Sequence, residues 1–152
     1  MLIDVGAGRE DLAREIWTYV LRLFLSDEHQ QMLGRVAEAE GLTGGSLKAL
    51  IALSPDEPKP MRSLAQEWMV DASYVTVLVD GLERRGLVRR ETPTTDRRVK
   101  LIKLTKQGIE TRERAMSRLT MPPGGLCALP SSDLRQLRDL LGRLAETYPA
   151  LE

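Results

Sequence analysis

The chain of 152 residues holds one cysteine, one histidine and no net charge, its 22 Lys and Arg balancing 22 Asp and Glu. A lone cysteine, Cys127, excludes an internal disulfide and fits a reducing compartment. The histidine, His29, is far from it in the chain, and no group of His, Cys, Asp and Glu has metal-ligand spacing. No apolar run approaches the length of about 20 residues that a bilayer demands, and no basic start leads into an apolar stretch. Gly44-Gly45 and Gly124-Gly125 do not follow a strand, so neither reads as a phosphate-binding loop. The expectation is a cytoplasmic protein that is not an enzyme, holds no metal or cofactor, and meets no membrane. Hydrophobic residues at 42% and charged ones at 29% are ordinary for a soluble globular chain. The length fits one compact domain or two small intertwined pieces.

What the chain does have is concentrated in residues 71–108. Val75, Leu78, Val79 and Leu82 recur at helical spacing and define one buried face. Gly86 follows, where a helix end wants a residue tolerant of positive φ. Leu87 and Val88 open a strand, Thr92-Pro93-Thr94-Thr95-Asp96 is turn chemistry, and residues 99–104 form a return strand. There Leu101-Ile102 spoils a clean alternation. A helix followed by a two-stranded hairpin is the plan of a winged helix.

Charge is lopsided along the same stretch. Residues 83–106 carry nine bases against three acids, whereas residues 1–40 carry four arginines against eight acids. A segment of +6 on a neutral chain is the electrostatic footprint of a polyanion site, with an ordinary solvated hairpin as the alternative.

The pattern Leu64-Ala65, Ser73-Tyr74-Val75-Thr76, Leu78-Val79-Asp80, Leu82-Glu83 and Gly86-Leu87-Val88 continues into Asp96-Arg97-Arg98, Leu104-Thr105 and Gly108. In order and spacing it resembles the MarR family (multiple antibiotic resistance regulators) from about residue 42 to 108, with looser agreement in the flanks. The resemblance implies a mainly α (α+β) fold, a winged helix-turn-helix with a helical dimerisation region from both termini. It implies a homodimer on double-stranded DNA at a palindromic operator, acting as a repressor and released by a small aromatic or phenolic effector. Residues 1–41 and 105–152 would then be dimerisation helices around a DNA-binding domain at 42–104, in one intertwined unit.

The flanks fit that layout. Residues 9–25 form a helix with Leu12, Ile16, Val20 and Leu23 apolar and Trp17, Tyr19 and Phe24 widening the stripe. Ser26-Asp27-Glu28 kinks or restarts it before it runs to Ala39 and ends at Gly41. Residues 42–54 are a helix with Leu47, Leu50, Ile51 and Leu53 as its core, and residues 54–60 are a breaker-rich loop. A short helix at 61–69 turns Leu64, Ala65 and Trp68 inward, and Asp71 is the expected cap of the recognition helix. Beyond the wing a helix spans 105–119, Met121-Pro122-Pro123-Gly124-Gly125 breaks it, and Ser131-Ser132-Asp133 caps a last helix. That helix has Leu134, Leu137, Leu141 and Leu144 on one side.

With the buried face of the recognition helix fixed, Ser73, Tyr74, Thr76, Val77 and Asp80 point outward. They are either base readers in a major groove or plain solvated residues. By resemblance, Arg98 enters the minor groove and Asp96 orients it, with a hairpin salt bridge as the alternative. Arg90, Arg97 and Lys100 read as phosphate contacts. Three residues depart from the family pattern: Gly81 where Arg or Lys is common, Arg62 where a capping Ser or Thr is usual, and apolar Val77. Arg62 leaves Ser63 as a shifted cap. Trp17, Tyr19 and Trp68 are candidates for an effector pocket, or core residues. Two other readings stand beside the regulator: a winged-helix protein-interaction module, and a redox sensor built on Cys127. Peroxide-sensing members of the family carry their cysteine in the first helix, where this chain has none.

Overall fold

A computed structural model describes residues 5–93 and 99–147. Helix α1, Val5–Phe24, ends before Ser26, and α2, Asp27–Ala39, is a fresh start. The Ser26 backbone is extended, its Oγ accepts from the His29 N–H, and the same hydroxyl donates to Leu23 O at 2.8 Å. One serine thus closes one helix and caps the next, so the kink-or-restart alternative resolves to a restart.

After Gly41, Thr43 caps α3, Gly44–Ala52, by accepting from Ser46 N–H. Leu47 and Leu50 on this helix and Leu53 just beyond it are almost wholly buried, while Ile51 is only partly covered and Ala49 faces the core. Part of the expected breaker loop is a strand. Lys59–Pro60, β1, pairs antiparallel with β3, Leu101–Leu104, through Lys59↔Ile102 and Pro60↔Leu101. Proline lacks an N–H, and it is tolerated because β1 is an edge strand. β2, Val88–Glu91, pairs on the other side of β3, giving the order β1-β3-β2. Ile102 and Leu104 point into the core and Leu101 and Lys103 away from it, so the alternation holds with an apolar residue on the outer face.

The helix-turn-helix is α4, Met61–Glu67, and α5, Ala72–Arg84. Asp71 occupies the N-cap position of α5 with an extended backbone, but its carboxylate makes no capping bond. Ser63 does not take over the cap of α4; its hydroxyl donates back to Pro60 O. The face of α5 expected to be buried is buried: Val75, Leu78, Val79 and Leu82.

The end of α5 shows why the Gly-Leu and Leu-Thr-x-x-Gly segments are spaced as they are. Gly86 has φ 71, and the N–H groups of Gly86 and Leu87 return to Glu83 O and Leu82 O, a complete Schellman closure. Leu87 then drops into the core. Thr105 caps α6, Lys106–Leu119, accepting from Gly108 N–H, while its hydroxyl donates to Gly86 O at 2.6 Å. At Gly108 a Cβ would stand 1.9 Å from Leu87 O, so only glycine lets α6 lie against that turn.

One core runs from Val36 and Ala37 on α2 through α3, α4, α5 and the sheet to Ala115 on α6. Glu40, its side chain 4% exposed, accepts from Arg114 and Arg118 and fastens α6 to the end of α2. α7, Gly124–Cys127, is a single turn within the expected break. α8, Ser131–Ala145, has Pro130 at its N-cap, so Ser131, Ser132 and Asp133 lie in its first turn and do not cap it. No residue of α8 is buried.

Candidate nucleic-acid interface

Helix α5 offers its outer face to solvent. Ser73, Tyr74, Thr76 and Val77 are exposed and Asp80 is half-buried. The Thr76 hydroxyl donates to Ala72 O one turn back, leaving its methyl and lone pairs outward. Val77 is 62% exposed, an apolar group with no partner in its own fold. Tyr74 leans sideways onto α3, its hydroxyl so close to Gly45 that a Cβ there would be 2.5 Å away.

Two expected contact residues are held within the protein. The Arg90 guanidinium forms ion pairs with Asp80 and Glu83, and the Arg90 N–H donates to Glu83 Oε1 at 3.1 Å. The hydrogen bond to Asp80, foremost, holds the Arg90 pKa above its ordinary value, against partial desolvation. Arg90 was expected on phosphate and Asp80 on base edges. In this geometry they neutralise each other and pin β2 to the back half of α5.

Lys100 is exposed, with Nζ 2.6 Å from Thr92 Oγ1. It shares a cleft of about 560 Å³ with Arg62, Thr76, Pro60 and Val99, at the junction of the sheet, α4 and α5. Exposed Arg62 is therefore a cation beside the recognition helix that the sequence reading treated only as a lost cap. The signal was present in the departure itself: a base stands where the pattern has a small hydroxyl. Asp96, Arg97 and Arg98 lie outside the described residues.

The aromatic candidates are not brought together. Trp17 and Tyr19 are exposed on α1, and the Tyr19 hydroxyl donates to Glu15, which raises its pKa. Trp68 lies after α4 and packs on the core. His29 sits beside the Phe24 ring, centroids 4.7 Å apart, and Cys127 is exposed on α7. Among the described residues no group of His, Cys, Asp and Glu is placed to hold a metal ion, and no helix is long and apolar enough to cross a membrane.

A mainly helical chain with a three-stranded antiparallel wing and an exposed recognition helix is a winged-helix DNA-binding protein. Residues 42–100 match the sequence pattern of the MarR family. The organic hydroperoxide resistance transcriptional regulator of Bacillus subtilis (strain 168) is 30% identical over 102 residues, 65% of this chain and 67% of that protein. The HTH-type transcriptional repressor MdtR of the same organism is 29% identical over 110 residues, 72% of this chain and 71% of that one. The crystal structure of YusO from Bacillus subtilis superposes with a TM-score of 0.67 at 26% identity, covering 91% of this chain and 98% of the other. The chain belongs to the MarR family. It is a DNA-binding transcriptional regulator and not an enzyme.

Proposed function

We propose that the chain acts in the cytoplasm as a homodimeric repressor on a palindromic operator, and that a small aromatic or phenolic effector releases it. The observation that carries the reading is the exposed face of α5 flanked by the Arg62–Lys100 cleft, a cationic seat for phosphate on a chain of zero net charge. Ser73, Thr76 and Val77 face base edges in the major groove, where Val77 and the Thr76 methyl suit a thymine methyl. Arg62, Lys100 and Arg97 neutralise phosphate. Arg98, oriented by Asp96, enters the minor groove, where a guanidinium is cheaply desolvated and a narrow A·T-rich tract concentrates negative potential. Residues 42–104 form the DNA-binding part, with 1–41 and 105–152 as the dimerisation flanks of one intertwined unit.

Dimerisation is supported by apolar surface with no cover. Leu12, Ile16, Leu23 and Phe24 on α1, and Leu140, Leu141 and Leu144 on α8, are each at least half exposed. Contiguous apolar area of this kind marks an interaction surface. A two-fold dimer would set its recognition helices about 34–36 Å apart, one DNA turn. The repressor reading is supported by the likeness to MdtR.

The test is titration of the purified protein against its own upstream intergenic DNA at two salt concentrations, with scrambled DNA as control. Tight, salt-sensitive binding that prefers the native sequence is expected, and Arg98→Ala should lose most of that preference while the dimer survives. Equal, weak binding to both DNAs would overturn the operator reading and favour a protein-interaction module. Unchanged operator affinity in Arg98→Ala would overturn the wing assignment.

A further inference from the structure

A groove of about 500 Å³ separates α3 from the recognition helix. Lys48, Ala49 and Ala52 of α3 form one wall, Tyr74 and Leu78 of α5 the other, and Trp68 lies between them. The size suits a small molecule, since ligand cavities run from about 300 to 1,000 Å³. Its chemistry is amphipathic: methyls, a leucine and an indole inside, an ammonium and a phenol to set orientation. Neither Lys48 nor Tyr74 has a hydrogen-bond or ion partner among the described residues. The indole N–H of Trp68 is buried with no acceptor, a donor that a small ring rotation toward a ligand oxygen would satisfy.

We propose that this groove binds a small planar organic anion, and that its occupancy lowers DNA affinity by moving Tyr74. An aromatic ring lies between Ala52, Leu78 and Trp68, and its carboxylate or phenolate meets Lys48 and the Tyr74 hydroxyl. Tyr74 now leans over Gly45 into space that exists only because residue 45 has no side chain. A ligand entering the groove competes for that space, and Tyr74 belongs to the exposed face of α5 that the DNA reading uses. The coupling rests on that reading; the binding itself does not.

The probes are 2-naphthoate and its neutral analogue 2-naphthylmethanol, titrated calorimetrically into the full-length protein without DNA. Naphthoate is expected to bind more tightly than the alcohol and to weaken about tenfold or more in Lys48→Met, as for loss of a charge-assisted contact. Ala52→Leu, at an exposed helix position, should remove binding of both probes by filling the groove, and thermal unfolding shows that each variant is folded. Equal binding of the two probes, no binding, or indifference to both substitutions would overturn the site. Saturating naphthoate should then reduce affinity for the upstream DNA by about 5–150-fold. Undiminished DNA affinity in a protein that holds the probe would overturn the coupling. A chain that takes the probe but never prefers its upstream DNA would overturn the operator reading and leave the groove standing.

Discussion

Met69 holds the turn of the helix-turn-helix in a conformation that glycine usually supplies. It has φ 51, is 90% exposed, and follows α4, with its N–H returned to Gln66 O and that of Val70 to Ala65 O. This is the closure that Gly86 makes after α5, executed by an L-residue. Left-handed backbone costs an L-residue about 1–2 kcal/mol, and glycine returns about 0.5–1 of that through its freer unfolded chain. Met69→Gly should therefore stabilise the protein by about 0.5–1 kcal/mol, seen as a higher urea midpoint at unchanged slope. A lower midpoint would mean that the exposed side chain has a structural role. Gly108→Ala runs the other way, since its Cβ would overlap Leu87 O, and overpacking of that kind costs about 1–3 kcal/mol or more. Gly86 and Gly108 were legible as punctuation after periodic segments. Met69 was not, because a strained residue leaves no propensity signal; the packing of Leu64, Trp68 and Val70 on the core fixes the turn instead.

Among elements, the link between the wing and the recognition helix is the Arg90 bridge. Its carboxylates are partly exposed, so each pair contributes no more than about 1 kcal/mol to folding. Its effect on DNA binding is geometric, because β2 carries the wing and α5 the base-reading face. Arg90→Ala should lower operator affinity on the order of tenfold, about 1.4 kcal/mol, yet leave the salt slope unchanged. Arg62→Ala should lower that slope by about one and weaken all sequences alike. A fall in slope for Arg90→Ala would return it to the phosphate-contact role. Helical periodicity revealed the buried faces of α3 and α5 because it reports burial directly. It was silent on which exposed charges pair, since Asp80 and Arg90 meet across a turn and a strand end. It also missed β1, whose two residues pair only because β3 lies alongside, and the cap positions of α5 and α8, where Asp71 and Ser131-Ser132-Asp133 suit capping but the local backbone leaves them unused.

For the molecule as a whole, the division between buried and bare apolar residues decides what is complete. The core from Val36 to Ala115 closes on itself, while α1 and α8 contribute no buried residue to it among those described. In α8, Leu134 and Leu137 are half-buried, but Leu140, Leu141 and Leu144 are each at least 50% exposed. The amphipathic stripe was plain in the sequence, but what it packs against was not, because a stripe specifies burial without naming the partner. If a second copy covers it, Leu140→Glu with Leu144→Glu sets charges against the partner's apolar face and leaves the winged-helix core untouched. Sedimentation should then show a dimer converting to a monomer. Each monomer would keep one half-site, so affinity for the palindrome should fall toward that for a single half-site, while the salt slope drops by about half with the number of phosphates neutralised. A variant that stays dimeric and binds the palindrome as before would move the interface to the other half of the bare surface, Leu12, Ile16, Leu23 and Phe24 of α1.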